Sequence, residues 1–254
     1  MLLAVDVGNT QTHIGAFDGA DLAADWRLST KPDSTADELS LVVSGLIGMS
    51  GLSLDDVDGS IVATVVPELG SAYLQLFERG GLAAMEVGPQ LKTGMPIRVD
   101  NPHELGADRL VNAVAAFDHV GGACVTVDFG TSTNFDAVSA EGEYLGGAIG
   151  PGLEISIEAL SERTAKLPRI DLAEPPSAIG RNTQAAMQSG FVYGFAALVD
   201  GLAHRVGSEV GDDARLIATG GLAGAIAPYC ETVDEIDPLL TLKGLRIIHE
   251  LNAD

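Results

Sequence analysis

Hydrophobic positions along the chain form short β-like runs that alternate with longer stretches of helical periodicity. The elements predicted in the first half are strands at 2–7, 12–17 and 22–28, a helix from about 34 to 49, a strand at 59–66, a helix near 69–79 and a strand near 84–87. Those predicted in the second half are strands at 123–127, 134–139 and 144–149, a helix around 154–164, an irregular loop at 166–179, a helix over 183–206, a strand at 215–218, and helices from about 222 and at 244–251. A strongly helical stretch follows residue 109 between the two sets.

Each half therefore begins with a three-strand antiparallel unit and continues with alternating helices and strands. This order predicts an α/β protein with the duplicated ribonuclease-H-like fold of the actin and hexokinase group. We expect two lobes, residues 1–118 and 119–254, with a central nucleotide cleft. A fold alone does not decide a function, which must be argued from particular residues.

Composition narrows the possible partners. The chain has 254 residues, 46% of them hydrophobic, and a formal net charge of −22. Without a cluster of basic residues, nucleic acid and anionic membranes are not expected partners. No apolar run reaches the ~18 residues of a membrane span, and the N-terminus lacks signal-peptide features, so we expect a cytoplasmic protein. Cys124 and Cys230 form no metal-binding motif and are expected to be reduced.

Two similar turns, one in each half, carry the first candidate chemistry. Residues 4–10 and 126–133 are apolar runs that end in an aspartate, followed by glycine and hydroxyl residues. In the first turn, Asp6 can hold a hydrated Mg²⁺, Gly8 allows close approach of a phosphate, and amide and hydroxyl donors follow. The turn lacks the lysine of a P-loop. A single copy would favour an ordinary hairpin with an Asx-type turn, but the second copy, with Asp128 and Thr131, favours phosphate or hard-cation binding.

A third candidate lies between the two turns, in residues 100–109. Gly106 to Arg109 precede or open a helix, where free amides and the helix dipole attract anions. An ionised Asp108 there could accept a proton from a substrate hydroxyl. The alternative is that Asp108 is only a first-turn acid. Asp136, two residues after Asn134, is either functional or an exposed strand residue.

Taken together, these motifs resemble the type III pantothenate kinases along most of the chain. The motifs that carry the resemblance, in chain order, are residues 6–10, 101–102 with 106–109, 128–131 with 135–136, 146–152 and 219–223. The resemblance implies ATP-dependent phosphorylation of pantothenate to 4'-phosphopantothenate, the first step of coenzyme A biosynthesis. It also implies Mg²⁺, a monovalent cation (K⁺ or NH₄⁺), and a homodimer, for which the 183–206 helix could provide an interface or only core.

The resemblance also implies roles for individual residues. The residues implied for ATP phosphate binding are Asp6, Gly8, Asn9, Thr10, Gln11, Thr12 and His13, with Thr131 as a further ATP contact. The residues implied for pantothenate binding are Gly106, Ala107, Asp108, Arg109 and Thr183. Asp108 would be the proton acceptor and Asp128 the ligand of the monovalent cation. A helix N-cap is the alternative for Thr183.

The sequence departs from the family at two positions and leaves two rival functions open. Asn134 replaces a usual threonine near the nucleotide, and Val99 replaces a tyrosine that many members have, so a tyrosine contact to pantothenate is expected to be absent. One rival is another kinase or phosphatase of the superfamily, acting on a sugar or acetate. The other is a nucleotide-binding regulatory or filament-forming protein without turnover.

Overall fold

Two five-stranded mixed sheets with the same strand order form the structure, a computed structural model that describes residues 1–211 and 213–253. The strands are β1 Leu2–Val7, β2 Gln11–Asp18, β3 Asp21–Ser29, β4 Gly59–Thr64, β5 Ala83–Glu86, β6 Cys124–Phe129, β7 Ser132–Val138, β8 Tyr144–Pro151, β9 Arg215–Thr219 and β10 Glu235–Ile236. The helices are α1 Ala36–Met49, α2 Pro67–Arg79, α3 Ala107–Val120, α4 Leu153–Glu162, α5 Thr183–Val210, α6 Ala223–Ile226 and α7 Leu240–Glu250.

The strand orders confirm the predicted duplication. The first sheet runs β3-β2-β1-β4-β5 and the second runs β8-β7-β6-β9-β10. In each, the first strand of the half is central, antiparallel to the hairpin partner and parallel to the later strand. The α/β, ribonuclease-H-like class predicted from the order of elements is therefore correct.

The first compact unit comprises residues 1–95, 101–115 and 240–254. One face of its sheet, with Val5 and Val7, packs in an apolar core against α1 and α2. On α1, the Thr35 side chain and Glu38 form a capping box, which satisfies two of the free amides at the start of the helix. Helix α7 contacts β1, β4 and β2. The predicted division at residue 118 therefore differs from this unit at the C-terminus, where α7 joins the first half of the chain.

The second compact unit comprises residues 96–100 and 116–239. Alternate residues of β6, Val125, Val127 and Phe129, form its core with α4, α5 and α6. The buried residues of α5 include Phe195 and Val199, which belong to this core. Of the two predicted uses of the apolar face of α5, the structure therefore shows core packing.

The differences from the predicted elements are local. Residues 166–179 contain no helix or strand, as predicted. The helix predicted from 222 has only four residues, since Pro228 follows and the chain turns into a 3-10 helix. The two-residue strand β10 was not predicted because it is too short to show a period. Among the described residues, no helix is long and apolar enough to cross a membrane.

Candidate active site

The first turn joins β1 to β2 at the end of a buried central strand. Asp6, half-buried, pairs in register with His13 on β2 and Ala63 on β4. The Gly8 N–H donates to the Gln11 carbonyl at 3.0 Å, and a Cβ on Gly8 would approach that oxygen to 2.9 Å. Residues 9–11 are exposed. The turn therefore places exposed residues beside a carboxylate, an arrangement that suits a phosphate and its cation.

Thr12 and His13, predicted to contact ATP phosphates, are buried in the structure. Thr12 is 2% exposed and its hydroxyl lies 3.0 Å from the hydroxyl of Thr30. His13 is 5% exposed, and its Nε2 lies 2.7 Å from Oδ2 of Asp25. Burial lowers the pKa of His13, although the hydrogen bond with Asp25 opposes this shift. Both side chains have partners within the fold, and their contact with ATP stays a prediction.

The second turn repeats the first with one residue fewer. Asp128 is half-buried at the end of β6, in register with Asn134 on β7 and Thr219 on β9. The Gly130 N–H donates to the Ser132 carbonyl at 3.0 Å. Thr131 is exposed at the tip. As in the first turn, an aspartate, a glycine amide and exposed turn residues lie together.

Asn134 and Asp136 line the same face of the second sheet as Asp128. Asn134 is 8% exposed, and its Oδ1 accepts a hydrogen bond from the Ser132 hydroxyl at 2.9 Å. Asp136 is fully buried and accepts a hydrogen bond from the Tyr144 hydroxyl at 2.7 Å. The interpretation of Asp136 as an exposed strand residue is therefore wrong. The Tyr144 partner was not predicted, because the pairing depends on the register between β7 and β8.

Two glycines that follow the second turn in sequence pack directly against it. A Cβ on Gly220 would lie 2.3 Å from Oδ1 of Asp128, and this glycine has a φ of +92°. A Cβ on Gly152 would lie 2.1 Å from the carbonyl oxygen of Thr131. Only glycine fits these close approaches without moving the turn. Both positions lie in the motifs that carried the resemblance, but their packing partners appear only in the fold.

We expect Gly220→Ala to displace the Asp128 carboxylate, since the new methyl group would overlap it in a backbone conformation that alanine rarely adopts. The expected result is a loss of catalytic activity much larger than any loss of melting temperature. Gly224→Ala is the matched control, because nothing lies within 4 Å of that Cβ position. Wild-type activity of Gly220→Ala in a steady-state activity assay would show that Gly220 does not hold the Asp128 carboxylate in place.

Asp108 lies in the first turn of α3, which α7 holds in place. The α7 glycine Gly244 approaches the Val111 carbonyl so closely that a Cβ would be 2.2 Å from that oxygen. The Thr241 hydroxyl donates to Oδ1 of Asn112 at 2.7 Å. The start of α3 is thus fixed by the last helix of the chain, a contact that the sequence did not predict.

The surroundings of Asp108 change its proton affinity. Burial raises the pKa of its half-buried carboxyl, while the backbone amide and the charge of Arg109 act in the opposite direction. A Cβ on Gly106 would lie 2.5 Å from Oδ1 of Asp108, so this glycine leaves room for the carboxylate. A carboxyl with a raised pKa near a helix N-terminus is a better proton acceptor than an exposed first-turn acid.

The remaining predicted pantothenate contacts lie at exposed or half-buried positions. Thr183 is the first residue of α5 and is exposed. The N-cap of this helix is Asn182, whose Oδ1 accepts from the Ala185 N–H at 2.8 Å, so the alternative of Thr183 as the cap is wrong. Val99 is half-buried, with Cγ1 3.5 Å from the Cβ position of Gly146. Ala107 and Arg109 flank Asp108 and are half-buried.

Comparisons with known proteins agree on one family. The family model described as type III pantothenate kinase matches residues 2–205. A type III pantothenate kinase of Moorella thermoacetica is 49% identical over 254 residues, covering 100% of both chains. One of Thermobifida fusca is 50% identical over 258 residues, again covering 100% of both chains. A Baf family protein of Campylobacter jejuni has a similar solved structure, with a TM-score of 0.61, 18% identity and 98% coverage of each chain.

Proposed function

Because the chain belongs to the type III pantothenate kinase family, we propose that it transfers the γ-phosphoryl group of ATP to the primary hydroxyl of pantothenate. The product is 4'-phosphopantothenate, in the first step of coenzyme A biosynthesis. The observation that carries this proposal is Asp108, half-buried in the Gly106–Arg109 element with its pKa raised by burial. It supplies what a hydroxyl acceptor needs in phosphoryl transfer, a positioned carboxylate that takes the proton.

Phosphoryl transfer depends mainly on positioning and on neutralising charge. We propose that the amides of the Gly8 turn hold ATP phosphates, with Asn9, Thr10 and Gln11 at its exposed tip and Thr131 as a further contact on the other turn. Pantothenate would lie against residues 106–109 and Thr183, with its hydroxyl at the Asp108 carboxylate. The predicted cytoplasmic location and homodimer belong to this proposal.

The two turn aspartates suit cations. Asp6 would hold Mg²⁺ together with ATP, and Asp128 would hold K⁺ or NH₄⁺, because carboxylate and hydroxyl oxygens are ligands of hard cations. Among residues 1–211 and 213–253, no three His, Cys, Asp or Glu side chains cluster to hold a metal alone, so either cation would take further ligands from phosphates, hydroxyls, carbonyls or water. When bound, these cations offset the negative charge of the phosphates.

A coupled ADP-release assay tests the proposal. ATP, pantothenate, Mg²⁺ and K⁺ are omitted one at a time, and formation of 4'-phosphopantothenate is followed by mass spectrometry. We expect ADP release that requires all four components. Turnover with a sugar or acetate in place of pantothenate, or polymerisation without ADP release, would contradict the proposal and favour a rival function.

The pH dependence of kcat/KM for pantothenate gives a second prediction. Asp108 accepts a proton only in its ionised form, so activity is lost as the pH falls through its folded-state pKa. Burial raises this pKa. The acid limb of the pH profile is therefore expected at a pH above ~3.9, the pKa of an ordinary aspartate. The control is Asp118→Asn, which alters an exposed aspartate on the same helix. Its pH profile should show the same acid limb as that of the wild type. An unchanged limb in Asp108→Asn would show that another group titrates.

A further inference from the structure

A chain of three hydroxyl groups lies beneath the first turn. Thr30, the residue after β3, donates its hydroxyl proton to the Gly8 carbonyl at 2.8 Å. Its backbone N–H donates to the Thr10 carbonyl at 2.9 Å. A single residue from the neighbouring strand thus holds two carbonyl groups of the turn. No motif marked Thr30 in the sequence.

The hydroxyl chain continues into the core of the first unit. The Thr12 hydroxyl lies 3.0 Å from that of Thr30, and the Tyr73 hydroxyl of α2 lies within hydrogen-bonding reach of Thr12. Thr12 is 2% exposed and Tyr73 is 1% exposed. Burial raises the pKa of Tyr73 to about 12, so its hydroxyl keeps its proton at neutral pH.

The number of hydroxyl protons sets the direction of donation along these three hydroxyl groups. A hydroxyl has one proton to donate, and Thr30 uses its proton for the Gly8 carbonyl. Thr12 must then donate to Thr30, and Tyr73 must donate to Thr12. Hydrogen bonds that run in one direction through a low-dielectric interior polarise and strengthen one another. The Gly8 carbonyl is therefore held by a half-buried Thr30, which Thr12 and Tyr73 back from the core.

Fixing this carbonyl also fixes the amide that follows it. In a trans peptide, the Gly8 C=O and the Asn9 N–H lie in one plane and point in opposite directions; the described residues contain no cis peptide. With the carbonyl turned towards Thr30, the Asn9 N–H points to the other side of the turn. Asn9 itself is exposed. A preoriented N–H of this kind stabilises an anion without reorganisation when the anion arrives.

We propose that Tyr73, Thr12 and Thr30 are positioning residues that hold the Asn9 N–H ready to donate to an ATP phosphate. The inference rests on the proposed function for the identity of the anion. It assigns Thr12 a supporting role beneath the turn, consistent with its buried side chain. It adds Thr30 and Tyr73, which the motifs did not include.

Thr30→Val tests the chain with little change in side-chain volume. It removes the hydroxyl proton but keeps the backbone bond to Thr10. We expect KM for ATP to rise about tenfold, the effect of one lost hydrogen bond, with kcat and KM for pantothenate within about threefold. Thr30→Ser keeps a hydroxyl and should restore KM for ATP. Tyr73→Phe provides a second variant, and combining it with Thr30→Val should cost no more than Thr30→Val alone, because both break one chain.

Ser60→Ala is the matched control for a purely structural role. The Ser60 hydroxyl is also fully buried in the first sheet and donates to a backbone carbonyl, that of Ala83, at 3.1 Å. Its loss should lower the melting temperature without changing KM for ATP. If Thr30→Val and Tyr73→Phe behave like this control, the positioning role is overturned.

Calorimetric binding of ADP and of a non-hydrolysable ATP analogue separates this inference from the proposed function. If the wild-type protein binds the nucleotide but does not phosphorylate pantothenate, the proposed function fails. A weaker affinity in Thr30→Val, rescued in Thr30→Ser, would still support the hydroxyl chain. Unchanged affinity in both Thr30→Val and Tyr73→Phe would overturn it whatever the acceptor substrate is.

Discussion

Asp108→Asn is expected to lower kcat by about 10²–10⁴-fold, the usual contribution of a general base. Asparagine keeps the size of the side chain but cannot accept the proton of the pantothenate hydroxyl. Since the proposed ATP contacts lie on the two turns, the affinity for ATP should remain nearly unchanged. The measurements are steady-state kcat and KM for both substrates, together with calorimetric binding of an ATP analogue.

Asp118→Asn makes the same chemical change on the exposed face of α3 and should retain wild-type kinetics. Thermal unfolding of both variants shows whether the helix is intact. Removing the partly desolvated Asp108 carboxylate should not lower stability, because burial raises its pKa and disfavours the charged form. An Asp108→Asn enzyme within a few-fold of wild type would remove Asp108 from the base role.

Replacing K⁺ and NH₄⁺ by Na⁺ at constant ionic strength is expected to reduce activity to the level of the blank. The protein has a formal net charge of −22, with 14 Lys and Arg against 36 Asp and Glu. Few basic groups are therefore available to offset the phosphates that we propose to lie beside Asp128, and a bound monovalent cation would do so. The measurement is ADP release in sodium-only buffer, followed by titration of K⁺ back into the assay.

Asp128→Asn provides the companion measurement. Without the carboxylate, the added K⁺ should no longer restore activity, whereas wild-type enzyme should recover fully. Dependence of both proteins on K⁺ to the same degree would place the cation elsewhere. Full activity of the wild type in sodium-only buffer would show that Asp128 does not serve a monovalent cation.

Most elements were predictable because their signals are local. The strand β1 shows as a continuous apolar run that ends at Asp6, and the β1–β2 turn shows as Gly8 with polar neighbours. The start of α1 shows as a threonine followed three residues later by a glutamate, the pattern of the capping box that the structure contains. These features need only neighbouring residues to form.

Contacts around the candidate site were less predictable because they depend on strand register and packing. The sequence left Asp136 open between a functional and an exposed position, and pairing with β8 buries it beside Tyr144. The side chain of Thr12 looked available to a phosphate, but its direction depends on the face that β2 buries against α2. A one-residue change of register would reverse such an assignment.

The sequence by itself therefore determined the order of elements, the duplication and the family, through patterns of adjacent residues. Only the tertiary structure decided what surrounds the reactive groups. It placed Thr30 beneath Gly8, Gly220 against Asp128, and α7 against the start of α3. The physical reason is that each of these contacts joins residues far apart in the chain, so its geometry exists only after the sheets have paired and the helices have packed.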